Sequence, residues 1–142
     1  FLGEEKVDST RLSEDFTFRG IACIIGSCRF SKFYREVIRE LTIRGWIVLD
    51  AGSYVYDETD PDVISRLNAT HASVGQLHRL KIALANLVVL VAGPHNGQEL
   101  YIGESTQSDL SLAQRLHKPI LMWHTINGEF DKIERAISSV GA

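Results

Sequence analysis

A chain of 142 residues has the usual size of one domain, and its 44% hydrophobic and 23% charged residues are close to the averages of globular proteins. The formal net charge of -3 excludes the broad cationic field that polymeric nucleic acid requires. The apolar runs are far shorter than a membrane span and the chain is polar after Phe1-Leu2, so we expect neither a membrane anchor nor a signal peptide. Cys23 and Cys28 form neither a disulfide framework nor a zinc pattern, so we expect a protein of the reducing cytoplasm.

The first part of the chain predicts an arm followed by a strand, a helix and a second strand. Residues 1–17 are rich in charge and lack periodicity, which indicates a flexible N-terminal arm before a domain at 18–142. Residues 20–25 form a continuous apolar run, as in a central parallel strand that is buried on both faces. Apolar residues at helical spacing follow between Phe33 and Leu41, and residues 46–49 predict the second strand.

The polar stretch 53–73 predicts a long loop, of a kind that often acts as a lid or a binding segment. A helix near residues 77–84 and a third strand at 87–91 follow. A helix over about 105–117 and a strand at 119–123 come next, and a closing helix is predicted from Phe130, Ile133, Ile137 and Val140. This alternation predicts an α/β protein with a parallel sheet of four to five strands, in which ligands bind beyond the carboxyl ends of the strands.

Gly26-Ser27-Cys28-Arg29 stands at the end of the first predicted strand. Glycine permits a tight turn, the next helix offers free backbone N–H groups to an anion, and Arg29 can pair with a phosphate or a carboxylate. The alternative is that the small residues serve only the turn, with Ser27 as a helix cap. Because the sequence has neither the three-glycine dinucleotide fingerprint nor the Walker lysine pattern, we expect one small ligand and no cofactor.

A second turn into a helix, at residues 101–109, contains Glu104 and Asp109. Asp109 shares a helix face with Ser105, whereas Glu104 precedes the predicted helix. A carboxylate in the first turns of a helix is held ionised by the N-terminal field, which suits a nucleophile that attacks a sugar anomeric carbon. The alternative is a capping box, Thr106-x-x-Asp109, in which Asp109 only satisfies a backbone donor.

The remaining candidates are histidines and tyrosines around the polar stretch. His71 and His78 flank it, although an isolated histidine is more often structural than catalytic. Tyr54 and Tyr56 could stack on a base, and ordinary packing explains them equally well. Metal-ligand spacing is absent from the sequence, so no metal is expected.

Three segments together resemble the nucleoside 2-deoxyribosyltransferase superfamily over about residues 18–125. They are Gly26-Ser27-Cys28-Arg29-Phe30, residues 77–85 with His78 and Lys81, and residues 101–109 followed by Ala113 and Lys118-Pro119. The resemblance implies a flavodoxin-like (Rossmann-like) three-layer fold and a homodimer or higher homo-oligomer, in which a neighbouring subunit helps close the site. It also implies cleavage or transfer at the N-glycosidic bond of a nucleoside or nucleoside 5′-monophosphate, through a covalent glycosyl-enzyme.

The resemblance assigns roles to residues of both turns. The family's nucleophile is a glutamate on the helix after the third strand, and the matching residue is Asp109, which is one methylene shorter. Glu104 is an alternative base or nucleophile, and His78 stands where the transferases have an acidic residue that assists the base. With Arg29 opposite the helix N-terminus, hydrolysis of a monophosphate is favoured slightly over base exchange. The expected substrate-binding residues are Gly26, Ser27, Cys28, Arg29, Gly103, Ser105 and Thr106.

Aspartate at the glutamate position leaves a second hypothesis open, a nucleotide-binding or sensing module that keeps the pocket without turnover. A cytokinin-type phosphoribohydrolase is a third, weaker hypothesis, because its GGxGT pattern is missing from the sequence. The expected partner is a small nucleoside or nucleotide in the first two hypotheses.

Overall fold

The structure, a computed structural model, describes residues 17–50, 58–69 and 71–132. Apart from Thr17, the predicted N-terminal arm therefore lies outside the described residues, and so does the chain from residue 133 onward. The elements, in chain order, are β1 (Gly20–Gly26), a 3₁₀ helix (Cys28–Phe33), α1 (Tyr34–Ile43), β2 (Trp46–Leu49), α2 (Pro61–Ala69), α3 (His71–Leu84), β3 (Leu87–Ala92), α4 (Glu104–Arg115), β4 (Ile120–His124) and β5 (Glu129–Lys132).

Within the described residues the strands form one sheet in the order β2-β1-β3-β4-β5. β1 pairs in parallel with β2 and β3, and β3 pairs in parallel with β4, whereas β5 runs antiparallel to β4. This is the flavodoxin-like order, in which the direction of strand addition reverses between β1 and β3. The predicted α/β fold is thus confirmed, and its switch point lies at the carboxyl ends of β1 and β3.

Two apolar cores lie on opposite faces of the sheet and make the fold three-layered. Alternate residues of β1 and β3 point to opposite faces, so a strand between two helical layers is apolar throughout. All six residues of β3 are buried for this reason. The core under α3 and α4 contains Cys23, Ile25, Ile82, Val88, Leu90 and Leu110, and the core under the 3₁₀ helix and α1 contains Ile24, Phe30, Val37, Leu41, Val89 and Val91.

The long loop predicted at 53–73 is wrong for the described part of that stretch, which contains α2 and the beginning of α3. The reason is a helix-start signal at residues 60–62. The Asp60 side chain accepts a hydrogen bond from the backbone N–H of Asp62 at 2.9 Å, and Pro61 occupies the first helical position, where its missing N–H costs nothing. Residues 51–57, with Tyr54 and Tyr56, lie outside the described residues.

The closing helix is also wrong where it can be compared, because Phe130 lies in β5. Gly128, with φ of 65°, turns the chain back after β4, so that Phe130 pairs with Trp123 across the two strands. The two rings pack edge to face with their centroids 4.8 Å apart. A cross-strand aromatic pair stabilises an antiparallel ladder and here outweighs the helical spacing of the sequence.

The helix predicted near residues 77–84 is confirmed as α3, but its leucines do not face the sheet. Leu77, Leu80 and Leu84 are 56%, 58% and 66% exposed, whereas Ile82 is fully buried beneath the helix. Within the described ranges, no helix is long and apolar enough to cross a membrane.

Candidate functional site

One cleft lies between the turn after β1 and the N-terminus of α4, at the switch point of the sheet. Its volume is about 490 Å³. The seven predicted binding residues all line it, together with Glu104 and Tyr101, and the complete lining is Gly26, Ser27, Cys28, Arg29, Tyr101, Gly103, Glu104, Ser105 and Thr106. The structure therefore brings the two predicted turns together.

The turn after β1 is held by close backbone packing. A side-chain carbon on Gly26 would lie 2.7 Å from the Val91 carbonyl oxygen and 3.0 Å from the Tyr34 hydroxyl, so only glycine fits. The Tyr34 hydroxyl donates a hydrogen bond to the Ser27 carbonyl at 3.1 Å. The Ser27 hydroxyl accepts from the Arg29 N–H at 3.2 Å and caps the 3₁₀ helix. Ser27 thus makes the cap of the alternative interpretation while also lining the cleft.

Tyr101 forms a wall of the cleft that the sequence interpretation did not assign a role. The Arg29 guanidinium carbon lies 5.6 Å from the centroid of the Tyr101 ring, within the range of a cation–π contact. His95 packs edge to face with the Tyr101 ring, with the centroids 4.8 Å apart. Tyr101 also donates its backbone N–H to the Gly93 carbonyl at 2.8 Å. These contacts hold Tyr101 in place beside the guanidinium of Arg29.

The N-terminus of α4 faces the cleft, because residues 103–106 line it. Gly103 is the N-cap and makes no side-chain capping bond. The first N–H groups of a helix have no partner inside the helix, and they carry its positive end. Together with the Arg29 guanidinium, they make this part of the cleft suited to a phosphate or a carboxylate.

The capping-box interpretation of Thr106-x-x-Asp109 is wrong. Because Gly103 is the N-cap and Glu104 is the first helical residue, Asp109 lies in the second turn of α4. A capping box needs its acidic side chain at the third helical position, within reach of the N-cap N–H. Asp109 therefore has no capping role, and Glu104 opens the helix instead of preceding it.

Asp109 contacts His78 across the boundary between α4 and α3. His78 Nε2 lies 3.3 Å from Asp109 Oδ2, and the two side chains are 16% and 18% exposed. His78 Nδ1 is buried and has no hydrogen-bond partner among the described residues. Neither residue lines the cleft. Asp109 lies one helical turn, about 6 Å along the axis, beyond Ser105, which does line it.

Three further polar groups lie near this pair. Lys81 Nζ donates a hydrogen bond to the Asp50 carbonyl oxygen at 2.7 Å. Burial raises the pKa of the Cys23 thiol from 9.0 to about 12, the positive charge of Lys81 acts in the opposite direction, and the negative charges of Asp109 and Asp50 add to the rise. Cys23 is consequently protonated at neutral pH and is no nucleophile.

The buried thiol predicts a loss of stability at alkaline pH. In the unfolded chain Cys23 ionises near pH 9, whereas the folded chain keeps the proton until about pH 12. The free energy of unfolding is therefore unaffected by this group at pH 8 and falls by about 1 kcal/mol between pH 9 and pH 10. Urea denaturation under reducing conditions should show this extra fall relative to Cys23→Ala. Equal slopes in the two proteins would contradict the protonated thiol.

Two sequence expectations remain, one on metal binding and one on His71. In the part of the chain that the structure describes, no group of three or more histidine, cysteine or acidic side chains lies close enough to hold a metal ion. The side chain of His71 lies outside the described residues.

Together, fold and cleft define an open α/β protein with a polar cleft at the switch point of its sheet. Among solved structures, the chain is similar to a 2-desoxiribosyltransferase from Leishmania mexicana, with a TM-score of 0.54 and 15% sequence identity. The match covers 75% of this chain and 65% of that chain, so this chain spans less than two thirds of the neighbour's length. At this identity the likeness supports the fold alone. No protein-family model matches the sequence, and no curated protein matches it.

Proposed function

We propose that the protein cleaves or transfers the N-glycosidic bond of a nucleoside or nucleoside 5′-monophosphate, with hydrolysis of the monophosphate ranked slightly above base exchange. The observation that carries this proposal is a cleft lined by Arg29 and the N-terminus of α4, one helical turn away from the carboxylate of Asp109. The cleft volume of about 490 Å³ is in the range of small-molecule sites. A sugar phosphate is a ligand whose anionic end and reactive carbon are separated in this way.

In the proposed reaction, the two turns have different tasks. Gly26, Ser27, Arg29 and Ser105 hold the sugar and its 5′-phosphate, and Asp109 is the nucleophile. Asp109 attacks the anomeric carbon C1′ to form a C1′–O bond while the C1′–N bond breaks and its electron pair leaves with the base. Glu104 and His78 are the candidates for proton transfer, and water or a second base then displaces Asp109 from C1′.

Two observations outside the cleft support the same proposal. The structural neighbour is named a 2-desoxiribosyltransferase, an enzyme that transfers a deoxyribosyl group. The proposal includes a homodimer or higher homo-oligomer, and the exposed Leu77, Leu80 and Leu84 side chains offer an apolar surface for such an assembly.

The decisive experiment is incubation of the protein with a panel of nucleosides and nucleoside 5′-monophosphates, with free base measured by chromatography. We expect release of base, with a lower KM for monophosphates than for the corresponding nucleosides. The absence of free base at high enzyme concentration across the panel would refute the proposed activity.

Replacing Arg29 tests the phosphate site. Arg29→Gln removes the cation that faces the N-terminus of α4, and we expect a rise of about tenfold in KM for the monophosphate, equivalent to about 1.4 kcal/mol of binding energy. KM for the nucleoside should change little, because a nucleoside has no phosphate that could contact Arg29. Arg39→Gln on the exposed face of α1 is the matched control. An equal rise for both substrates would place the phosphate elsewhere.

A second candidate function is a nucleotide-binding or sensing module without turnover. The observation that favours it is the position of Asp109, which carries a shorter side chain than the expected glutamate, contacts His78 and does not line the cleft. Calorimetry that detects micromolar binding of a monophosphate, together with no release of base, would support this candidate over the enzyme.

A further inference from the structure

His78 and Asp109 form a pair that leaves neither ring nitrogen of His78 open to the cleft. Nε2 is directed at Asp109 Oδ2 at 3.3 Å, and Nδ1 is buried without a partner in the described ranges. Since a carboxylate only accepts hydrogen bonds, a hydrogen bond at this contact has the N–H of Nε2 as its donor. A proton donor for a departing base must reach that base, directly or through one water. His78 has no nitrogen that meets this condition.

The direction of the reaction gives a second argument. In a double displacement, the nucleophile and the leaving group lie on opposite faces of the anomeric carbon, so the group that protonates the leaving group stands opposite the nucleophile. His78 contacts the nucleophilic carboxylate itself and therefore lies on the nucleophile's side. Glu104 is five positions before Asp109 on α4, which separates the two directions by about 140° around the helix, and it lines the cleft.

On the basis of the proposed function, we infer that His78 is a positioning residue that holds the attacking carboxylate of Asp109, and that Glu104 alone carries out proton transfer at the leaving base. The His78 N–H stays on Oδ2 and directs Oδ1 toward C1′. This hydrogen bond orients the carboxylate of Asp109, whose side chain is one methylene shorter than that of glutamate.

With these roles, the reaction proceeds in two steps: the sugar is first transferred to Asp109 and is then released by water. Oδ1 of Asp109 gives an electron pair to C1′, the C1′–N bond pair leaves with the base, and the exposed Glu104 passes a proton from solvent to the base. Water then attacks C1′ on the face that the base has left, and its proton goes to the Glu104 carboxylate. The C1′–O bond pair returns to Asp109, and the sugar product is released with a hydroxyl on C1′.

Two variants of His78 test the hydrogen bond. Gln places an amide N–H near the position of Nε2, whereas Leu removes the donor. We expect His78→Leu to lower kcat at least about tenfold with little change in KM, and His78→Gln to recover most of the loss. His117→Asn, at an exposed residue with φ of 56°, is the matched control because asparagine tolerates this backbone conformation. Equal losses in the Leu and Gln variants would overturn the inference.

The nature of the leaving group separates positioning from acid catalysis. A 4-nitrophenyl glycoside of the same sugar releases nitrophenolate, which needs no proton from the enzyme. We expect His78→Leu to slow the first release of nitrophenolate as much as it slows the release of base from the nucleotide. Glu104→Gln should lose the release of base but keep the initial burst of nitrophenolate, with slow turnover afterwards because no carboxylate takes the proton of the attacking water. Retained activity of His78→Leu on the nitrophenyl glycoside would show that His78 is the acid and overturn the inference alone. A native protein that cleaves neither substrate would overturn the proposed function, and the inference with it.

Discussion

Asp109→Asn is expected to abolish the release of free base, with a fall in kcat of at least about a thousandfold. The amide has the shape of the carboxylate, and its oxygen can still accept the hydrogen bond of His78, so the boundary between α3 and α4 should be preserved. The amide oxygen, however, is a poor nucleophile toward an anomeric carbon. Chromatography of the free base measures the loss.

Binding and folding must be measured on the same variant. Calorimetry with a nucleoside 5′-monophosphate should show unchanged affinity, because the proposed anion site is formed by Arg29 and the N-terminus of α4, without Asp109. Asp62→Asn, which removes an exposed carboxylate 3.4 Å from Arg66, is the control for a change of one charge. If Asp109→Asn retains base release, Glu104 or another group is the nucleophile.

Asp109→Glu decides between the enzyme and the binding module. If His78 places the shorter aspartate correctly, the added methylene moves the reactive oxygen away from its line of attack and lowers kcat. If turnover increases, the aspartate marks a site that has lost an activity, and the sensing module becomes the better description of the native protein. Chromatography of the base on paired samples measures the direction.

The location of the cleft was predictable because it depends on chain order and on two turns. Residues 20–25 and 87–91 are apolar without alternation, which indicates buried parallel strands, and glycine follows the first of them at Gly26. Parallel strands present their carboxyl ends at one edge of the sheet, so residues that follow β1 and β3 meet there regardless of side-chain detail.

The contacts inside the site were less predictable, since they join residues that are distant in sequence. His78 and Asp109 are on different helices, and nothing local to either residue indicates that α3 and α4 place them 3.3 Å apart. The role of Tyr101 likewise depends on Arg29, which comes from the other turn. The start of α2, however, was predictable from local sequence, because Asp60 is an N-cap residue and Pro61 occupies the first helical position.

Two glycine substitutions of identical chemistry are expected to change stability in opposite directions. Gly26→Ala places a methyl group 2.7 Å from the Val91 carbonyl oxygen, in the centre of the sheet, and 3.0 Å from the Tyr34 hydroxyl. The Val91 carbonyl cannot withdraw without disturbing the pairing of Gly26 with Val91 between β1 and β3. We expect a loss of about 2–3 kcal/mol in the free energy of unfolding. Gly75→Ala, in α3, meets no atom within 4 Å and should gain about 0.5–1 kcal/mol.

Urea denaturation of both variants measures these changes, and ligand binding connects them to the cleft. If the methyl group moves the turn, the Tyr34 bond to the Ser27 carbonyl breaks and Arg29 shifts relative to the N-terminus of α4. Affinity for the monophosphate should then fall in Gly26→Ala and stay unchanged in Gly75→Ala. If Gly26→Ala is as stable as the native protein but binds weakly, the glycine serves close approach of the ligand to the backbone. If it is neither destabilised nor impaired in binding, the turn is not held as closely as its contacts indicate, and the anion site does not depend on it.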